Sequence, residues 1–152
     1  MPKPGDEAPS FQLVSDTGAT VRLDDFNGKR VIVYFYPKAD TPGCTKQACA
    51  IQDIGPQIED AGVTVIGISP DSPEKLAKFR AKYDLGFILA SDTNHEVAEA
   101  YGAWGEKSMY GKKYMGIIRS HAAIGEDGKI VAIKNKVKPL ETAELWEIWK
   151  GS

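Results

Sequence analysis

The sequence predicts an α/β fold with a mixed central sheet, helices on its faces and a β-hairpin at the N-terminus. Three observations predict it. Val31-Ile32-Val33-Tyr34-Phe35-Tyr36 and Val63-Thr64-Val65-Ile66-Gly67-Ile68 run apolar without alternation, the pattern of strands covered on both faces. Helical segments follow each of these strands, and alternating strand and helix gives parallel pairing. Short strand pairs joined by turn residues stand near both ends of the chain.

In order, Phe11 to Val14 and Thr20 to Leu23 alternate as partner strands, with Ser15-Asp16-Thr17-Gly18 as the turn. Asn27-Gly28-Lys29 punctuates before the first buried strand, which Pro37 ends. Residues 44 to 60 read as a helix, bent near Gly55-Pro56. After the second buried strand, Ser72-Pro73-Glu74 opens another helix, with Ser72 as N-cap and Pro73 in the first helical position. Leu76, Phe79 and Tyr83 fall on one face of it. Phe87-Ile88-Leu89 reads as a short strand and Asn94 to Tyr101 as a short helix. A glycine-rich loop is expected from Gly102 to Gly116. A strand is expected from Ile117 through Arg119 toward Ile124. Glu126-Asp127-Gly128 turns it into Ile130-Val131-Ala132-Ile133. A last helix carries Leu140, Leu145, Ile148 and Trp149. This order is the thioredoxin-like arrangement, in a single domain spanning residues 1–152.

Composition excludes some classes of function. The chain is 42% hydrophobic and 26% charged with net charge −2, so no basic face suggests nucleic acid or a membrane surface. Met1 to Asp6 lacks the apolar stretch of a signal peptide, and a cytoplasmic location is expected. In that compartment a close cysteine pair is more often catalytic than a permanent crosslink.

The chain has two cysteines, in the segment Thr41-Pro42-Gly43-Cys44-Thr45-Lys46-Gln47-Ala48-Cys49. Cys44 falls after a buried strand and a Pro-Gly turn, where a helix begins. First-turn amides have no partner within a helix, and the helix dipole favours an anion there, so this position suits a thiolate.

Tyr34-Phe35-Tyr36-Pro37-Lys38-Ala39-Asp40-Thr41-Pro42-Gly43-Cys44-Thr45 resembles the peroxidatic segment of the peroxiredoxins. Within them it is similar to the bacterioferritin comigratory protein (peroxiredoxin Q) subfamily. Gly67-Ile68-Ser69-Pro70-Asp71, Tyr101 to Lys107 and Gly116-Ile117-Ile118-Arg119-Ser120 extend the resemblance, which runs from about Gly5 to about Pro139. The resemblance implies a thiol peroxidase that reduces hydrogen peroxide and alkyl hydroperoxides without a metal or organic cofactor. It implies Cys44 as the peroxidatic cysteine, Thr41 and Arg119 as its activating partners, and Cys49 as the resolving cysteine. It also implies thioredoxin or a similar dithiol as reductant, and a monomer. The chain departs from the common pattern at Gln47, where many members have Glu, and at His121-Ala122, where Thr-Phe is common. Ala122 for Phe predicts a looser apolar wall near the active site.

The chemistry needs these residue types. A thiolate attacks one peroxide oxygen and the other leaves with negative charge. A free thiol has a pKa of about 8.5, so amides and a cation are needed to stabilise the anion near neutral pH. The Thr41 hydroxyl has both donor and acceptor capacity to orient the peroxide. Pro42 fixes the turn and shields the sulfur, and Gly43 allows close backbone approach to substrate. The resulting sulfenic acid condenses with a second thiol. Residues five apart on an α-helix have Cα atoms about 8.7 Å apart. A disulfide needs them within about 7 Å, so a helix through both cysteines must unwind to close one.

Other signals are weaker. Asp16-Thr17-Gly18-Ala19 matches a short aspartic-protease string but reads as a hairpin turn. Gly105 to Gly111-Lys112 resembles a phosphate loop, with one residue too many and Lys113 where Ser or Thr is required. His95 and His121 lack zinc-ligand spacing with the cysteines. Two alternatives remain open: a thiol–disulfide oxidoreductase, which would have a Cys-x-x-Cys pair, and a redox-sensing binding module.

Overall fold

The computed structural model describes residues 2–150. Its main sheet has seven strands: β1 (Gln12–Ser15), β2 (Thr20–Arg22), β3 (Arg30–Phe35), β4 (Val63–Ser69), β5 (Ile88–Ser91), β8 (Ser120–Ile124) and β9 (Ile130–Asn135). They lie in the order β2-β1-β5-β4-β3-β8-β9. Strands β3, β4 and β5 are parallel, while the hairpins β1–β2 and β8–β9 add antiparallel strands at the two sides. The expected mixed sheet with its N-terminal hairpin is therefore present, in a thioredoxin-like fold.

The apolar runs form strands because both faces of the sheet are covered. Along β3, Val31, Val33 and Phe35 enter one core cluster, and Ile32 and Tyr34 enter the other. The first cluster lies beneath α4 (Glu96–Ala100) and a 3-10 turn (Leu23–Phe26), through Val97, Ala98 and Leu23. The second lies beneath α1 (Pro42–Asp53), α2 (Gly55–Asp60) and α3 (Pro73–Tyr83), through Cys44, Ala48, Ile51, Ile58, Leu76 and Phe79. Each fully buried large apolar side chain contributes roughly 1.5–3 kcal/mol, so these two layers hold the sheet in place.

Local chemistry sets the helix limits. Pro56 lacks an N–H and would crowd the Gln52 carbonyl four residues back, and the chain breaks at Ile54 between α1 and α2. Ser72 caps α3 by accepting from the Lys75 N–H at 3.3 Å, with Pro73 in the first helical position, as expected.

Three expectations need correction. The region read as a glycine-rich loop is a second, two-stranded antiparallel sheet, β6 (Trp104–Met109) with β7 (Lys112–Ile117). Its turn is Tyr110-Gly111, with φ of +52° and +78°, the left-handed pair a two-residue hairpin loop requires. Most of the hairpin is exposed, so no apolar alternation marked it in the sequence. Second, no continuous strand runs through Arg119: β7 ends at Ile117 and β8 begins at Ser120. Third, the final helix is a 3-10 segment, Thr142–Trp149. Its core side is Ala143, Leu145, Trp146 and Trp149, while Leu140 and Ile148 are exposed. No described helix is long and apolar enough to cross a membrane.

Candidate active site

The end of β3 delivers the chain into the loop that carries Thr41. That loop is held from below by the β4 end. The Asp71 carboxylate accepts from the Ala39 N–H at 2.7 Å and from the Ser69 hydroxyl at 2.8 Å. Asp40 sits in a left-handed conformation (φ +61°) and accepts from the Tyr83 hydroxyl at 2.7 Å and Lys82 Nζ at 2.9 Å. The Gly67 to Asp71 segment thus braces the loop.

Helix α1 opens at Pro42, which places Cys44 in its first turn. The Thr45 N–H donates to the Thr41 carbonyl at 2.8 Å, the first helical bond, so the Gly43 and Cys44 N–H groups have no acceptor within the helix. The Thr41 side chain does not cap them. Its hydroxyl donates instead to the Lys38 carbonyl at 2.7 Å, so only its lone pairs remain to accept a hydrogen bond. The donor half of the role expected for Thr41 is therefore taken up by the protein itself.

Arg119 reaches this helix end from across the sheet. Its backbone is fixed on both sides, because Ile118 N–H donates to the Ala103 carbonyl at 2.7 Å and the Arg119 carbonyl accepts from Val137 N–H at 2.9 Å. Its Nη2 stands 3.5 Å from Cys44 Sγ, and its Nη1 donates to Gln47 Oε1 at 2.5 Å. A cation in this position stabilises an anionic sulfur. Gly43 is what lets it approach: a Cβ there would lie 3.0 Å from Arg119 Nη2. Cys44 itself is 1% exposed, and Cys49, on the same uninterrupted helix, is half-buried. Both are free thiols.

The structure adds four residues around the site: Gln47, Thr142, His121 and Lys107. Gln47 is fully buried, and its Nε2 donates to Thr142 Oγ1 at 3.0 Å. Thr142 Oγ1 lies 2.8 Å from His121 Nδ1. Lys107, on β6, donates to the Ile117 carbonyl at 2.8 Å. Desolvation and then the nearby Arg119 charge push the Lys107 pKa down, with Cys44 acting in the opposite sense. Gln47 and His121 were legible as departures from a pattern, while Thr142 carried no sequence signal. Ala122 lies elsewhere: it points into the cluster beneath α4, opposite the one that holds Cys44, so it does not loosen the wall behind the sulfur. His95 stacks on Trp104 with ring centroids 3.6 Å apart and bonds Glu99 through Nδ1 at 3.2 Å, which are packing and surface contacts.

His121 is buried, and loss of water lowers its pKa from 6.5 to about 4, with attraction to Glu141 opposing and repulsion from Lys134 assisting. Its folded pKa lies below its unfolded one, so the unfolded chain binds the proton more readily. The contribution is intact above pH 6.5 and is lost as pH falls toward 4. Up to about 3 kcal/mol of stability should disappear across that window. His121→Asn should lose less, which urea midpoints at pH 7 and pH 4.5 will measure; parallel losses in both proteins would contradict the assignment.

Comparison with known proteins identifies the family. A model of the AhpC/TSA family matches residues 4–133. The chain is 55% identical to peroxiredoxin Bcp of Escherichia coli over 128 residues, covering 84% of this chain and 82% of that one. It is 56% identical to a putative peroxiredoxin of Mycobacterium tuberculosis over 135 residues, covering 89% and 86%. Among solved structures it resembles a cysteine-to-serine variant of Xylella fastidiosa PrxQ, with TM-score 0.91, 30% identity and coverage of 99% and 96%. It also resembles Xanthomonas campestris bacterioferritin comigratory protein, studied for alkyl peroxide reduction, with TM-score 0.89, 31% identity and coverage of 97% of each chain. A buried thiol at a helix start, an arginine on its sulfur and relatives of this similarity leave one conclusion: the chain belongs to the AhpC/TSA family, in its bacterioferritin comigratory (peroxiredoxin Q) branch, and is a peroxidase.

Proposed function

We propose that this chain reduces hydrogen peroxide and alkyl hydroperoxides through Cys44, and that Cys49 resolves the oxidised form. The observation that carries the reading is Arg119 Nη2 at 3.5 Å from a sulfur seated in the first turn of α1. The Cys44 thiolate attacks one oxygen of the peroxide and the O–O bond breaks. The released alkoxide or hydroxide takes a proton, and the sulfur keeps one oxygen as a sulfenic acid. Arg119 and the first-turn amides are already aimed at the region where charge moves during this step, so they need no reorganisation. Thr41, with its proton committed to Lys38, accepts a hydrogen bond from the peroxide O–H. Pro42 occupies the first helical position and fixes the turn before Cys44, and Gly43 leaves room for Arg119 beside the sulfur.

Cys49 then attacks the Cys44 sulfur, water leaves and a disulfide forms. A dithiol reductant such as thioredoxin returns both thiols by exchange. We further propose that the whole cycle runs in one monomeric domain, in the cytoplasm, where such dithiols keep thiols reduced. Peroxide-dependent NADPH consumption with thioredoxin and thioredoxin reductase tests the cycle. No consumption with either hydrogen peroxide or cumene hydroperoxide would refute it.

The resolution step demands motion. Helix α1 runs unbroken from Pro42 to Asp53 through both cysteines. Their Cα atoms are then about 8.7 Å apart, beyond the roughly 7 Å that a disulfide spans. Residues 44 to 52 should lose amide-exchange protection in the disulfide form relative to the dithiol form. Equal protection in the two forms would contradict this.

A further inference from the structure

The hydrogen bonds behind Arg119 have a fixed polarity that can be read atom by atom. A guanidinium only donates, so the Gln47 atom 2.5 Å from Arg119 Nη1 must be the amide oxygen. The amide nitrogen then points the other way and donates to Thr142 Oγ1 at 3.0 Å. The Thr142 hydroxyl has one proton of its own. His121 Nδ1, 2.8 Å from the same oxygen, is placed to accept it. That requires a bare Nδ1 and the ring proton on Nε2.

Gln47 is 0%, Thr142 2% and His121 6% exposed, so water has little access to replace any member of the chain. A flipped Gln47 amide would set –NH2 against the guanidinium, donor against donor, and would drive Arg119 off its partner. What holds the amide against that flip is an acceptor at Thr142, and a hydroxyl whose one proton is directed to His121 Nδ1 presents only lone pairs to Gln47. Thr142 lies in the 3-10 segment, 95 residues from Gln47 in sequence, and His121 lies on β8. Two separate elements thus converge on one amide.

We propose that Thr142 and His121 are positioning residues that lock the Gln47 amide oxygen toward Arg119 and so hold the guanidinium against the Cys44 sulfur. Neither residue meets the peroxide. The inference rests on the proposed peroxidatic role of Cys44, and one of its two tests does not depend on that role.

The first test is the tautomer of His121, read from long-range proton–nitrogen correlations in the reduced wild-type protein at pH 7. The expected result is a proton on Nε2 and a bare Nδ1; a proton on Nδ1 would overturn the proposal whatever Cys44 does. The second test is the second-order rate of Cys44 oxidation by hydrogen peroxide in three variants. Thr142→Val removes the acceptor and should slow the reaction by roughly tenfold to a hundredfold, the usual penalty for a misplaced group. Thr142→Ser restores the hydroxyl and should stay within about threefold of wild type, far above Thr142→Val. His121→Leu should follow Thr142→Val. Equal rates in Thr142→Val and Thr142→Ser would overturn the proposal, as would a wild-type rate in His121→Leu. A wild type that does not react at all would refute the peroxidase reading instead, leaving the tautomer as the test of the hydrogen-bond chain.

Discussion

Cys44→Ser should reduce thioredoxin-coupled peroxide turnover by roughly 10⁴-fold or more, because a hydroxyl ionises far less readily than a thiol and attacks peroxide oxygen poorly. The substitution keeps nearly the same shape in a position that is 1% exposed, so the fold should survive. Cys49→Ser should behave differently. The first oxidation of Cys44 should proceed at close to the wild-type rate, because Arg119 and the start of α1 are untouched. Turnover should then stall, because the second thiol of the chain is gone. The split between the two serine variants, one failing at the first step and one at the second, is what the coupled assay and a stopped-flow oxidation trace must reproduce. Comparable turnover in Cys44→Ser and wild type would contradict the assignment.

Arg119→Ala should cost roughly 10²–10³-fold in kcat/KM for hydrogen peroxide, the range for removing one preorganised charge-stabilising donor. The loss has two physical sources: the sulfur loses a cation 3.5 Å away, and Gln47 Oε1 loses its donor inside the core. Arg119→Lys should fall between the two. An ammonium restores charge but cannot bond the sulfur and Gln47 at the same time through a rigid fork. Steady-state kinetics on the three proteins will check the order Arg, Lys, Ala; an Arg119→Ala rate within threefold of wild type would remove Arg119 from the site.

The parts of this fold that could be read in the sequence are those where one physical demand dominates. Val31 to Phe35 must be apolar at every position because β3 has a neighbour on each side and a core cluster on each face. Ser72 and Pro73 mark a helix start because capping and a missing N–H act within one turn. Cys44 was legible for the same reason: a strand, a turn and a helix start lie within a dozen residues of chain.

What stayed hidden depends on distant or weakly patterned contacts. The β6–β7 hairpin is mostly exposed and turns on Tyr110 rather than Asn or Asp, so neither alternation nor turn composition announced it. Ile117 and Ile118 before Arg119 suggest a continuous strand, yet the chain leaves the sheet there and so can aim the guanidinium at α1. The small side chain of Ala122 suggests a looser wall near the site, but alternation along β8 turns it to the opposite face while His121 points toward Thr142. Thr142 itself meets Gln47 only because the 3-10 segment packs on α1, a contact no local pattern encodes.

The central claim is that Cys44 takes up peroxide oxygen and Cys49 converts it to a disulfide within the same chain. Intact mass after mixing reduced protein with one equivalent of hydrogen peroxide for under a second tests it most directly. The expected result is a loss of two hydrogens in the wild type, an added oxygen in Cys49→Ser and no change in Cys44→Ser. An unchanged wild-type mass, or the same oxidised mass in Cys44→Ser as in the wild type, would contradict it.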